Sequence, residues 1–179
     1  MSVRLPYKGV TEEGYELVMP SKDEDGNITR KTIIVKKEQA HVGYLPYTKR
    51  NIIIQAFKYE DIPYRWGGMN DGIDCSSFVS NVYRTFGFEF PRNTSEQRKS
   101  VGKIISLVDK TNEEKLTILQ KHAPSLLFKK GHVLIYLGPI NNTHYVINAT
   151  GKRSILRVAI EELNEFNYLS EIYSQVLVE

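Results

Sequence analysis

The chain has 179 residues, 41% of them hydrophobic, enough to bury a core and to form one domain of about 100–150 residues with a small appendage. Its net charge of +3 comes from interspersed basic and acidic residues and is too mild to argue for a nucleic-acid partner. A single cysteine excludes an intrachain disulfide, no run of about 18 apolar residues is present to span a membrane, and the start, Met-Ser-Val-Arg-Leu-Pro, lacks the apolar core of a signal peptide. Either the protein is cytoplasmic or a leader has been removed from it.

Residues 1–47 read as short β runs (Tyr15–Met19, Lys31–Lys36, His41–Leu45) around a polar turn, Ser21 to Asn27. Three strands are too few to close a stable barrel, so this segment is expected to be a small β appendage, with no chemistry of its own visible. The period changes at Thr48. Ile52, Ile53, Ala56 and Phe57 form a helical stripe, Thr48 is its cap and Asp61-Ile-Pro63 its stop, which places a domain boundary near Pro46.

Next comes Tyr64-Arg-Trp-Gly-Gly-Met-Asn-Asp-Gly-Ile-Asp74-Cys75-Ser76-Ser77-Phe78. Gly67-Gly68 and Asn70-Asp71-Gly72 mark irregular backbone. After them Phe78, Val79, Val82, Tyr83 and Phe86 share one helical face, with Asp74 as N-cap and Gly87 at the C-terminal cap. Cys75 therefore falls in the first turn of a helix, on its apolar face. Backbone N–H groups and the helix dipole favour an anion there, so the thiol is expected to ionise easily. The competing reading is a small buried core residue.

Thr94 and Gln97 have the spacing of a capping box that opens a further helix, and residues 111–122 form a polar helix candidate with a solvated face. The second half is β: Leu126–Phe128, His132–Leu137, Tyr145–Thr150 and Ile155–Ala159, joined by short turns. Helices first and an antiparallel sheet after them make an α+β layout.

A cysteine nucleophile needs a base. Of His41, His122, His132 and His144, His132 is best placed, at the start of the apolar strand that follows Gly131. With the next turn centred on Ile140, His132 faces Asn148 across the ladder, about 5 Å away. His144 points to the same face but lies roughly 13 Å further along, and stays a weaker candidate. Asn148 can accept a hydrogen bond from one imidazole nitrogen and leave the other for the thiol. No second Cys or His stands at ligand spacing, so neither a metal nor another cofactor is expected.

Together, Tyr64-Arg-Trp-Gly-Gly, Asp74-Cys-Ser-Ser, Phe90-Pro-Arg-Asn-Thr, Gln97 and Gly131-His-Val-Leu-Ile-Tyr-Leu-Gly138 resemble the NlpC/p60 family of bacterial cell-wall cysteine peptidases, over about residues 48–160. Residues 41–60 resemble the junction at which members with a bacterial SH3-like domain enter the catalytic domain. Residues 1–47 look like the latter part of that domain, so the natural protein is expected to be longer than this chain or a pared-down relative.

The resemblance implies a papain-like fold over residues 48–179. It also implies hydrolysis of peptide bonds in peptidoglycan stems, commonly the γ-D-glutamyl to diaminopimelate bond. By motif, Cys75 is the nucleophile, His132 the base and Asn148 the third polar residue, where histidine often stands. Tyr64 matches a tyrosine whose hydroxyl lies near the cysteine and helps hold the oxyanion with the Cys75 N–H. Asp74, Ser76 and Thr94 match positions that contact a free N-terminal L-alanine of the stem. Trp66, grouped with them beside the cleft, reads mainly as a packing residue.

Pro124-Ser125-Leu126 and Lys129-Lys130 depart from the family's usual Pro-Gly-Asp and leave cleft shape open. The implied partners are stem peptides or muropeptides, met by a monomer in the cell envelope, or in the cytoplasm if it recycles fragments. Rival readings are an acyltransferase or amidase of the same fold working through a thioester, and a non-catalytic wall-binding module.

Overall fold

A computed structural model describes residues 3–179; Met1 and Ser2, at the head of the N-terminal β segment, lie outside the described residues. The chain divides into two compact units, Met1–Leu45 and Pro46–Glu179.

The first unit is an antiparallel meander of β1 (Tyr7–Val10), β2 (Tyr15–Lys22) and β3 (Ile28–Val35). The β1–β2 turn needs glycine at position 14, because a Cβ there would stand 2.3 Å from the Val35 carbonyl oxygen. His41–Leu45, expected as a strand, is not one. Gly43 takes φ +80°, which breaks the extended run, and the third strand is supplied instead by Tyr7–Val10.

In the second unit, α1 (Lys49–Phe57) is capped by Thr48, whose hydroxyl accepts the Asn51 N–H at 3.2 Å. Its buried face is Ile52, Gln55 and Ala56, continued by Tyr59, so the stripe is rotated from the expected one and Phe57 is 41% exposed. The central helix, α2 (Cys75–Arg84), buries Phe78, Val79, Val82 and Tyr83 as the spacing requires, and Phe86, just past its end, is buried with them. Its end is a Schellman motif: Phe88 N–H reaches the Tyr83 carbonyl, Gly87 N–H reaches Arg84, and Gly87 takes φ +95°.

After α2 come α3 (Thr94–Ser100), β4 (Gly102–Ser106) and α4 (Asn112–Leu119). Asn93, not Thr94, occupies the N-cap position of α3, and no capping box forms. Thr94 is the first helical residue, and Gln97 turns inward. The α4 helix is not simply a solvated face, since Lys115 and Leu119 are buried and Leu119 joins the core.

A six-stranded antiparallel sheet of order β4-β9-β5-β6-β7-β8 completes the unit. Its remaining strands are β5 (Ser125–Lys129), β6 (His132–Ile140), β7 (Thr143–Ala149), β8 (Val158–Glu162) and β9 (Ser174–Val178), with the short α5 (Tyr168–Glu171) between the last two. The fold is α+β: helices first, then mostly sheet, with α2 against β6 and β7.

Two hairpins set the positions of the functional side chains. Lys130-Gly131 turns β5 into β6 in two residues, with Gly131 at φ +70°, so His132 is the first residue of its strand and pairs with Lys129. The β6–β7 turn is Asn141-Asn142, both with positive φ, rather than a turn centred on Ile140. Two consecutive left-handed residues match the twist of a tight two-residue hairpin.

Candidate active site

The observed register, which includes a bulge near Gly138, pairs Ile135 with Ile147. Continued three residues back, it sets His132 opposite Thr150, so Asn148 is a diagonal neighbour on the same face, still within reach of a long side chain. The side chains do meet: His132 Nε2 lies 2.8 Å from Asn148 Oδ1. His144 belongs elsewhere, buried with its Nδ1 2.6 Å from the Tyr136 hydroxyl. His41 is exposed in the other unit.

The Asn148 oxygen accepts the Nε2 proton, which leaves a lone pair on Nδ1. The Cys75 sulfur lies beside the start of the same strand. It is within reach of the backbone N–H of Val133, the residue after His132, and 4.0 Å from the Thr94 hydroxyl. Burial pushes the Cys75 thiol up despite these two contacts, which pull it down. Easy ionisation at the helix start is thus overturned: at 6% exposure, desolvation of the thiolate outweighs the helix N-terminus. Burial also holds His132 below the ordinary imidazole value, a shift the Asn148 hydrogen bond partly offsets. Both groups favour their neutral forms.

Asp74 caps α2 by accepting the Ser77 N–H at 2.9 Å. It also takes the Gly67 N–H at 3.1 Å and the Ser76 hydroxyl at 3.1 Å, and it pairs with Arg92, whose other amino group donates to Ser76 Oγ at 2.7 Å. Burial alone would raise its carboxyl, but Arg92 and the Ser77 hydrogen bonds outweigh that and hold it low. Gly67 and Gly68 both take positive φ, and this backbone brings the Gly67 N–H onto the carboxylate. Asp74→Ala is expected to destabilise the fold by about 1–2 kcal/mol through loss of the cap, and Asp74→Asn by much less. Equal urea midpoints for Asp74→Ala and the parent would refute this assignment.

The Tyr64 ring packs on Gly151, where a Cβ would come within 2.9 Å of it. Burial raises its hydroxyl first, and the Cys75 sulfur, once it is a thiolate, and the Asp74 carboxylate push the same way, so Tyr64 stays protonated as a donor. Trp66 is not a packing residue: it is 76% exposed, because the single 3-10 turn that carries it is too short to fold back on the core.

Three features escaped the sequence reading. Arg92 lies within the Phe90-Pro-Arg-Asn-Thr motif, but nothing local to it shows a role. Gln97 is fully buried and its amide nitrogen binds the Ser76 carbonyl, the Ser80 hydroxyl and the Pro91 carbonyl, tying α3 to α2. Behind Asn148, the buried Glu161 and Tyr168 form a polar cluster with the half-buried Lys152. Among the described residues no three His, Cys, Asp or Glu side chains gather as metal ligands would, and no helix is long and apolar enough to cross a membrane.

A profile of the NlpC/P60 family matches residues 61–177. A curated relative, "Probable endopeptidase NlpC homolog" of Haemophilus influenzae, is 35% identical over 115 residues, covering 63% of this chain and 52% of its own. "Gamma-D-glutamyl-L-lysine dipeptidyl-peptidase" of Bacillus subtilis is 29% identical over 92 residues, covering 51% of this chain and 30% of its own. The chain thus spans about half, or less, of the length of these relatives. The crystal structure of an NlpC/P60 family protein from Bacillus cereus shares the fold, with a TM-score of 0.69 at 23% identity over 98% of this chain and 54% of that one.

Proposed function

The chain belongs to the NlpC/P60 family, and on that footing we propose that it is a cysteine endopeptidase of peptidoglycan stem peptides, cutting the γ-D-glutamyl to diamino-acid bond. The observation that carries the reading is the His132–Asn148 hydrogen bond at 2.8 Å, with the only cysteine beside the same strand start.

In this mechanism His132 Nδ1 takes the Cys75 proton and the sulfur attacks the stem carbonyl. The oxyanion is held by the Cys75 backbone N–H at the helix start and by the Tyr64 hydroxyl. The intermediate collapses to a thioester as His132 returns the proton to the leaving amine. Water, deprotonated by His132, then releases the new carboxylate and restores the thiol. No cofactor enters these steps.

Substrate contacts fall to Thr94, next to the sulfur, and to the exposed Trp66 at the rim. Asp74 and Ser76, buried and bonded to each other, hold Arg92 at the same end of α2 and shape the subsite for the stem's N-terminal amine. Residues 1–47 serve as an SH3-like β segment, and the enzyme works as a monomer in the cell envelope. The name of the Bacillus subtilis relative supports the γ-D-glutamyl choice.

Incubation with free tri- and tetrapeptide stems and with a sugar-linked stem, read by mass spectrometry, tests the reading. Cleavage after D-glutamate is expected. Amine-dependent products without hydrolysis would replace it with acyl transfer. Asn148→Ala is expected to lower turnover about 10–100-fold while leaving measurable cleavage, the size of loss found when the outer hydrogen-bond partner of a metal-bound imidazole is removed. Unchanged turnover in that variant would remove Asn148 from the site.

A further inference from the structure

The side-chain amide of Asn148 has two ends of nearly equal shape, and only one is useful. With Oδ1 toward His132 the imidazole carries its proton on Nε2; with the NH2 group there, Asn148 would donate instead, and the proton would move to Nδ1, the nitrogen needed as base. What decides the orientation lies on the far side of the amide. Asn148 Nδ2 donates to Glu161 Oε2 at 2.7 Å. A carboxylate only accepts, so it can be satisfied only by the NH2 end.

Glu161 is itself 5% exposed and fully engaged. Lys152 Nζ lies 3.0 Å from its Oε1, and the Tyr168 hydroxyl donates to Oε2 at 3.0 Å. Tyr168 stacks on His132, with centroids 6.5 Å apart and planes 7° apart, and the Lys152 ammonium sits 3.8 Å from the centre of the Tyr168 ring. Chain topology supplies the carboxylate. Glu161 pairs with Val146 across β7–β8, which puts it on the face that also carries Asn148.

We propose that Glu161 is a positioning residue that fixes the amide orientation of Asn148 and, through it, the tautomer of His132, with Lys152 and Tyr168 holding the Glu161 carboxylate in place. The inference rests on the reading of His132 as the base. Glu161 touches no reacting atom, and a structural ion pair with Lys152 is the alternative it must beat.

The test uses Glu161→Gln and the reciprocal pair Asn148→Asp with Glu161→Gln. In the single variant an amide faces an amide and either orientation can be satisfied. Turnover is expected to fall about 10–100-fold, and the nitrogen-15 NMR shifts of the His132 ring should move from a pure Nε2–H pattern to a mixture. In the double variant the amide introduced on β8 donates to the carboxylate introduced on β7, whose other oxygen can only accept from His132. The Nε2–H pattern and turnover within about tenfold of the parent should both return.

A merely structural pair predicts an unchanged tautomer in Glu161→Gln and no recovery in the double variant, and either result overturns the proposal. If the single variant does not fold, the double variant decides alone, because it keeps the buried charge count and the hydrogen bonds. The NMR readout needs no substrate. A parent protein that shows the Nε2–H pattern yet cleaves no stem would sink the peptidase reading and leave this one standing.

Discussion

Cys75→Ala is expected to bring stem cleavage down by roughly 10⁴–10⁶-fold, to background, the loss seen when a nucleophile that works as a unit with its base is removed. The size follows from the absence of a substitute, because this is the chain's one cysteine and the Thr94 hydroxyl, 4.0 Å from the sulfur, has no base of its own. The fold should survive. Cys75 is buried at the start of α2, alanine suits a first helical turn, and the cap at Asp74 and the apolar stripe from Phe78 to Phe86 are untouched.

Circular dichroism and retained stem binding by the alanine variant would separate loss of chemistry from loss of structure. Cleavage by that variant above background would refute a thioester route. Because burial keeps the thiol neutral at rest, alkylation of Cys75 by iodoacetamide near pH 7 should be slow and should slow further when His132 is removed. A fast rate independent of His132 would mean that the sulfur is already a thiolate.

What could be read from the sequence followed interactions that are local along the chain. The α2 helix carries its whole signature within fifteen residues: an aspartate cap, five apolar positions on one face and a glycine that allows the terminal left-handed turn. The thiol's position followed from that. His132 and Asn148 can be matched because both belong to one hairpin, although its turn is Asn141-Asn142 rather than one centred on Ile140 and the register differs by two residues. A two-residue slip keeps side chains on the same face, so the pair survived; a one-residue slip would have separated them.

Distant pairings could not be read. β4 and β9 are short, and their partners lie far away in sequence: β9 joins β4 on one side and β5 on the other. The start of β8 moved from Ile155 to Val158 because Ile155 and Leu156 turn back onto the Lys152 carbonyl. That shift brings Glu161 into a strand. An acid followed by another acid reads as surface, and only the tertiary fold, with Lys152, Tyr168 and Asn148 around it, makes Glu161 an interior residue. The same limit hid the direction of the thiol's shift. Helix position is visible in a sequence, but depth of burial is set by what packs on top.

His132→Ala should cost about 10²–10⁴-fold in kcat/KM, the usual worth of a positioned base. The pH profile of the parent makes the assignment sharper. Activity requires neutral imidazole, so the acid limb reports the His132 pKa in the free enzyme. Burial lowers that value below 6.5, and a base with a lowered pKa stays unprotonated to lower pH, so the limb is expected on the acid side of 6.5. Lys129 and Lys152 push in the same direction, while the Asn148 hydrogen bond and the Glu161 charge oppose it. Removing Asn148 should therefore move the limb still lower even as turnover falls, a combination that simple loosening of the fold would not give. In His132→Ala the limb should vanish from the residual rate. A parent limb above 6.5, or the same limb in the alanine variant, would place the titrating base elsewhere.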